Sequence, residues 1–125
     1  MDDIIKIFAI LLTVDLPYLY LMKDYYGNMI EDIQKTKIDI RYFSILIVYI
    51  IMAISIKYFV IDNSKNIYDI LFYGILLGLF GYGVYDFTNY SIFSKWRLNA
   101  SLIDLAWGMF LCTFVSLIFY IFVKN

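Results

Sequence analysis

The sequence predicts an all-α, integral membrane four-helix bundle of up-down antiparallel topology. Three observations carry this reading. The 125-residue chain is 63% hydrophobic and only 17% charged, against about 45–50% and about 25% in an average soluble domain. Its mean hydropathy is +0.78. Four apolar runs follow one another at residues 4–22, 42–61, 67–90 and 99–123, and a hydrocarbon core of about 30 Å needs about 20 residues of helix. A soluble fold of this size has too little interior to hide so much apolar side chain, and disorder requires the opposite composition. The runs do not alternate apolar with polar residues as barrel strands would. Helices are left, because they satisfy their own backbone groups in lipid. The chain reads as one domain, 1–125, without an internal repeat.

The first run is expected to be a retained helix rather than a cleaved signal peptide. It is long, and Lys23, Asp24, Tyr25 and Tyr26 follow it instead of a small-residue cleavage site. Pro17 near its end predicts a kink or an early stop. In the polar link that follows, Tyr26, Met29, Ile30 and Ile33 recur at i, i+3, i+4 and i+7, with Glu31, Asp32, Gln34 and Lys35 on the other side. This spacing predicts a short amphipathic interfacial helix between helices 1 and 2, a mobile loop being the alternative. The link 62–66 is short, so helices 2 and 3 form a tight antiparallel pair. The third link carries Lys95, Trp96 and Arg97, an interfacial mixture, and Trp96, Tyr42, Tyr58, Tyr68 and Tyr90 read as belt residues. Six Lys and Arg (Lys23, Lys35, Lys37, Arg41, Lys95, Arg97) fall on the side of links 1–2 and 3–4, and four (Lys6, Lys57, Lys65, Lys124) on the other. That small excess places these links in the cytoplasm and both termini outside, in a multi-pass protein.

Composition also excludes chemistry. Histidine is absent and Cys112 is the single cysteine, which removes a His general base, an intramolecular disulfide, and haem, zinc or iron–sulfur ligation. The net charge is −1 and the basic residues are dispersed, so no nucleic acid is expected as a partner. The expected partner is the lipid bilayer. A homodimer is expected as well, because so small a bundle encloses little volume.

Three carboxylates interrupt the apolar runs: Asp15, Asp86 and Asp104. Each costs about 2.5–3.5 kcal/mol near a helix centre, so such residues usually face the protein interior or a wet cavity. Counted from the run ends at about 1.5 Å per residue, they lie about 6–10 Å below the boundary. The up-down topology puts all three in one leaflet, the one facing links 1–2 and 3–4. On helix 3, Gly74, Gly78, Gly81, Tyr85 and Thr88 form one stripe, flanked by Asp86 and Asn89. On helix 4, Asp104, Gly108, Cys112 and Ser116 form an i+4 ladder, with Ser101 one turn earlier. These faces are expected to meet through Gly74, Gly78, Gly81 and Gly108, with Asp15 and Tyr18 of helix 1 nearby.

The segments Tyr85-Asp86-Phe87-Thr88-Asn89 and Asp104-Leu105-Ala106-Trp107-Gly108, with Trp96 between them, resemble the signature of a family of small membrane proteins, domain of unknown function 2177. The resemblance covers the whole chain. Asp15 and Tyr18 fall where relatives carry an Asp followed three residues later by an aromatic. The resemblance implies four transmembrane helices and no known activity. The candidate intramembrane polar site is therefore Asp15, Tyr18, Tyr85, Asp86, Thr88, Asn89, Asp104 and Trp107, with catalytic residues unassigned.

Binding or transport of a proton, a hard cation or a small substrate is the first functional reading. Carboxylate oxygens suit Mg²⁺ or Ca²⁺, with Asp15, Asp86 and Asp104 as candidate ligands, and no other cofactor is expected. A structural or assembly subunit of a membrane complex is the second reading. A metal-dependent lipid-modifying enzyme is the third, so enzymatic activity is the less favoured expectation.

Overall fold

The computed structural model describes residues 2–124. Four helices long and apolar enough to cross a membrane make up the fold: α1 (Asp2–Gln34), α2 (Tyr42–Ile61), α3 (Ile67–Ile92) and α4 (Leu98–Lys124). The winding widens to a π-helix over Ile56–Ile61 at the end of α2 and over Phe119–Lys124 at the end of α4.

Helix α1 corrects two expectations. It runs unbroken for 33 residues, through Pro17 and through the stretch expected to form a separate interfacial helix. At about 1.5 Å per residue it is about 50 Å long, well beyond the hydrocarbon thickness. The reason lies in what its last turns cover. Met29 is fully buried against Trp96 and Ala100, with Tyr25, Tyr26, Ile30 and Ile33 packed around them. The apolar stripe therefore faces protein, not lipid headgroups. The Arg97 N–H donates to Met29 Sδ at 3.2 Å, and the Arg97 guanidinium lies 5.2 Å over the Tyr25 ring. Asp32 Oδ1 sits 3.7 Å from the ammonium groups of Lys35 and Lys95. These exposed pairs add little stability, but the neighbouring Lys95 pushes the Lys35 ammonium below the ordinary lysine range. Lys35 ends the helix in the left-handed region, at φ 65°, and its N–H donates to Glu31 O at 2.8 Å. The link back to α2 is tied to this end, the Ile38 N–H donating to Glu31 Oε2 at 2.9 Å.

The opposite end of the bundle is capped locally. Asn66 Oδ1 accepts from the Asp69 N–H at 3.0 Å, and Asp69 Oδ2 from the Lys65 N–H at 2.9 Å, which starts α3. Lys57 pairs with Asp62 and reaches Asp3 at 3.8 Å, joining the start of α1 to the turn.

Packing is uneven around the bundle. Helices α3 and α4 make the closest contact; α1 touches α2 and α4; α2 meets α3 chiefly through Ile56–Ile61. The apolar core fills the half near the termini, where Ile7, Leu11, Ala53, Ile56, Val115 and Phe119 are fully buried. In the other half, the Trp96 end, α3 leans on α4 and stands clear of α2. Glycine makes the α3–α4 approach: a Cβ on Gly78 would lie 2.5 Å from Gly108 O and Met109 Cα, and one on Gly74 would lie 2.8 Å from Thr113 Cα. A Cβ on Gly108 would meet the Tyr82 ring. Gly81, expected in the same contact, faces open space, with nothing within 4 Å of its Cβ position. The stripe diverges from α4 there, since α3 turns Tyr82 and Gly78 to its partner instead.

Alanine at Gly78 must push two backbones apart, so Gly78→Ala is expected to destabilise the bundle by roughly 1–3 kcal/mol. Gly81→Ala meets nothing and gains about 0.5–1 kcal/mol of helix propensity. Unfolding of both variants in mixed detergent micelles checks the contrast.

Candidate functional site

The three buried-run acids do share one end of the bundle, but their surroundings differ. Asp15 is 4% exposed. It accepts from the Tyr49 hydroxyl of α2 and from Trp107 Nε1 of α4 at 2.8 Å. It therefore joins three helices, and each of its oxygens has a donor.

Asp104 lies on α4 one turn nearer the Trp96 end. Its Oδ1 is 3.1 Å from the Tyr18 hydroxyl. The Tyr18 hydroxyl is 3.0 Å from that of Tyr26, and Tyr26 in turn donates to Ala100 O at 3.0 Å. The Tyr18 and Trp107 rings stack at 4.5 Å and 3°. That stack stands between Asp15 and Asp104 and keeps them in separate polar groups.

Asp86 lies beside Asp104 on the wall of one cavity. It is 0% exposed, and neither of its oxygens has a donor. Its backbone carbonyl is satisfied: Trp96 Nε1 donates to Ser101 Oγ at 3.0 Å, and Ser101 Oγ donates to Asp86 O at 2.8 Å. This relay holds α3 to the start of α4. It also corrects the reading of Trp96 as a belt residue, since the ring is 6% exposed and packed inside.

The other expected residues fall as follows. Tyr85 is half exposed, with its ring edge-on to Trp96 at 6.2 Å and 87°. Asn89 is half-buried one turn beyond Asp86, and Thr88 is exposed on the outer face of α3, away from the cluster. Two contributors escaped the sequence reading. Tyr49 is the one hydroxyl in the aliphatic stretch 45–54, and its position midway along α2 is the available signal. Tyr26 belongs to the stripe whose spacing alone predicts contact with headgroups. Among the described residues, no group of three or more His, Cys, Asp or Glu is placed to hold a metal ion. Asp15 therefore does not join Asp86 and Asp104 as a ligand set, because the Tyr18–Trp107 stack and its own donors occupy the space between.

Two cavities reach Asp104. One, of about 220 Å³, is lined by Tyr18, Tyr26, Tyr85, Trp96, Asp86 and Asp104 among others, with Lys23 at its rim. The second, of about 450 Å³, opens between α2 and α3 and is lined by Val48, Met52, Gly81, Tyr82, Tyr85 and Asp104. Tyr85 and Asp104 belong to both.

Removing Asp15 strands two donors in an apolar interior, so Asp15→Ala is expected to cost about 1–3 kcal/mol of stability. Asp86→Asn loses no donor and is expected to stay within about 1 kcal/mol of the parent chain. Denaturation of the two variants side by side checks this, and equal losses would contradict the distinction between the acids.

A family model described as predicted membrane protein (DUF2177) matches residues 3–121, and the chain belongs to that family. No curated protein and no solved structure matches the chain.

Proposed function

We propose that this multi-pass membrane protein is a one-sided binding or transport protein whose Asp86–Asp104 pair carries exchangeable protons. The observation that supports it is a hydrogen count. Four contacts run in series: Asp86 to Asp104, Asp104 to Tyr18, Tyr18 to Tyr26, and Tyr26 to Ala100 O. Each phenol supplies one proton, and a carboxylate supplies none. With both acids ionised, two of the four contacts stay empty and a buried anion lies without a protein donor, which is costly. With the acids ionised Tyr18 donates to Asp104; with one proton on each acid that bond reverses, Asp104 donates to Tyr18 and Tyr18 to Tyr26, and every contact is filled.

The surroundings favour one-sided exchange over a channel. From the pair, the tyrosine chain leads toward the Trp96 end. In the other direction lie the buried side chains of the apolar core. On the positive-inside expectation the cleft faces the cytoplasmic leaflet. A hard divalent cation has less support, because Mg²⁺ and Ca²⁺ want six or more oxygens and two carboxyls converge here. That shortage also weakens the metal-dependent enzyme. The assembly reading accounts for a donor-saturated acid such as Asp15, but not for Asp86.

Trp96 reports on the pair through Ser101 and the Asp86 carbonyl. In nanodiscs, tryptophan fluorescence is expected to show a pH transition that Asp86→Asn abolishes while helix content stays constant. Superimposable pH curves for the two proteins would overturn the proposal.

A further inference from the structure

The walls of the cleft carry information about what replaces the proton. Four aromatic rings surround the acid pair: Tyr18 and Tyr26 from α1, Tyr85 from α3 and Trp96 from the α3–α4 link. Tyr18 and Tyr26 are tilted at 50° with centroids 6.5 Å apart, and Tyr85 and Trp96 are perpendicular, so aromatic rings share the cavity wall with Leu19, Met22 and Ile30. Aromatic faces attract cations, organic ammonium ions in particular. The cavity wall is acidic, and its Asp86 side chain is fully buried without a donor, with Asp104 beside it. The one basic group at the rim, Lys23, is drawn outward over the ring of Tyr20, 4.6 Å from its ammonium. The second cavity continues from Asp104 to the open side between α2 and α3, with apolar walls at Val48 and Met52. Gly81 lines it with no side chain, and that is where the bundle opens laterally.

We propose that the cleft binds an amphiphile bearing an organic ammonium group, which enters from the bilayer between α2 and α3. The ammonium sits among the four rings against Asp86 and Asp104, and the apolar body lies in the groove beside Gly81. This rests on the protonated pair proposed above and adds its ligand. One ammonium enters as one proton leaves, so the net charge of the buried site is unchanged. The ionisable groups facing the pair are Tyr18, Tyr26 and Lys23 from α1, and Tyr82 and Tyr85 from α3. Asp15, with Tyr49 of α2, lies behind the Tyr18–Trp107 stack.

The test uses the full chain in phosphatidylglycerol nanodiscs, which hold no ammonium lipid. The probe is dodecyltrimethylammonium, which has no proton to lose, and dodecanol is the neutral control. Saturable tryptophan quenching by the ammonium probe alone is expected, with one proton released per probe bound. Asp86→Asn is expected to weaken binding about tenfold or more, the scale of one buried charge-assisted contact. Gly81→Leu, at a position open to a side chain, is expected to slow association. Quenching that is equal for dodecanol, or unchanged in both variants, would overturn the ammonium site and leave the proton pair standing. Saturable binding without proton release would support the ligand class and overturn the exchange. Competition by phosphatidylethanolamine in the disc would assign the ammonium to a lipid headgroup, and its absence to a free amine.

Discussion

Helices α3 and α4 meet backbone to backbone, and the rest of the site depends on that contact. With a Cβ on Gly78 only 2.5 Å from the Gly108 carbonyl, no other residue allows the approach. Commitment to α4 draws α3 away from α2 at the Trp96 end, so the two meet mainly near Ile56–Ile61. The same contact brings Asp86 up against the first turn of α4, where Ser101 holds its carbonyl and Asp104 faces its carboxyl. Close packing on one side of α3 thus creates the opening on the other.

Within that frame, two kinds of buried acid do different work. Asp15 has a donor for each oxygen and ties α1, α2 and α4 together. Such polar contacts are worth only about 0.6 kcal/mol on average between membrane helices, so Asp15 orients the helices more than it holds them. Asp86 has no donor and contributes no such tie. A buried carboxyl without a donor destabilises the fold unless a proton or a cation meets it. Its presence beside a cavity is what motivates the proton exchange proposed for it.

Much of this was legible in the sequence. Hydropathy and run length located four spans, because lipid imposes a length on every helix. Helical phase and up-down topology brought Asp15, Asp86 and Asp104 to one end. The misreadings share a cause: a one-dimensional pattern does not say what an apolar stripe faces. Tyr26, Met29, Ile30 and Ile33 would look the same against headgroups as against Trp96 and Ala100. Gly81 keeps the glycine rhythm yet lies past the point where α3 and α4 diverge. The divergence is a matter of helix geometry and leaves no trace in residue spacing. The partner of each acid was equally hidden, since any of thirteen tyrosines could have reached Asp15 or Asp104.

The central claim is that Asp86 and Asp104 hold protons in the resting protein. Infrared spectroscopy of protein carrying carbon-13-labelled aspartate, in lipid at neutral pH, addresses it most directly. The account predicts a carboxylic-acid carbonyl band that shifts in deuterium oxide and diminishes in Asp86→Asn. A spectrum with every aspartate ionised would contradict it.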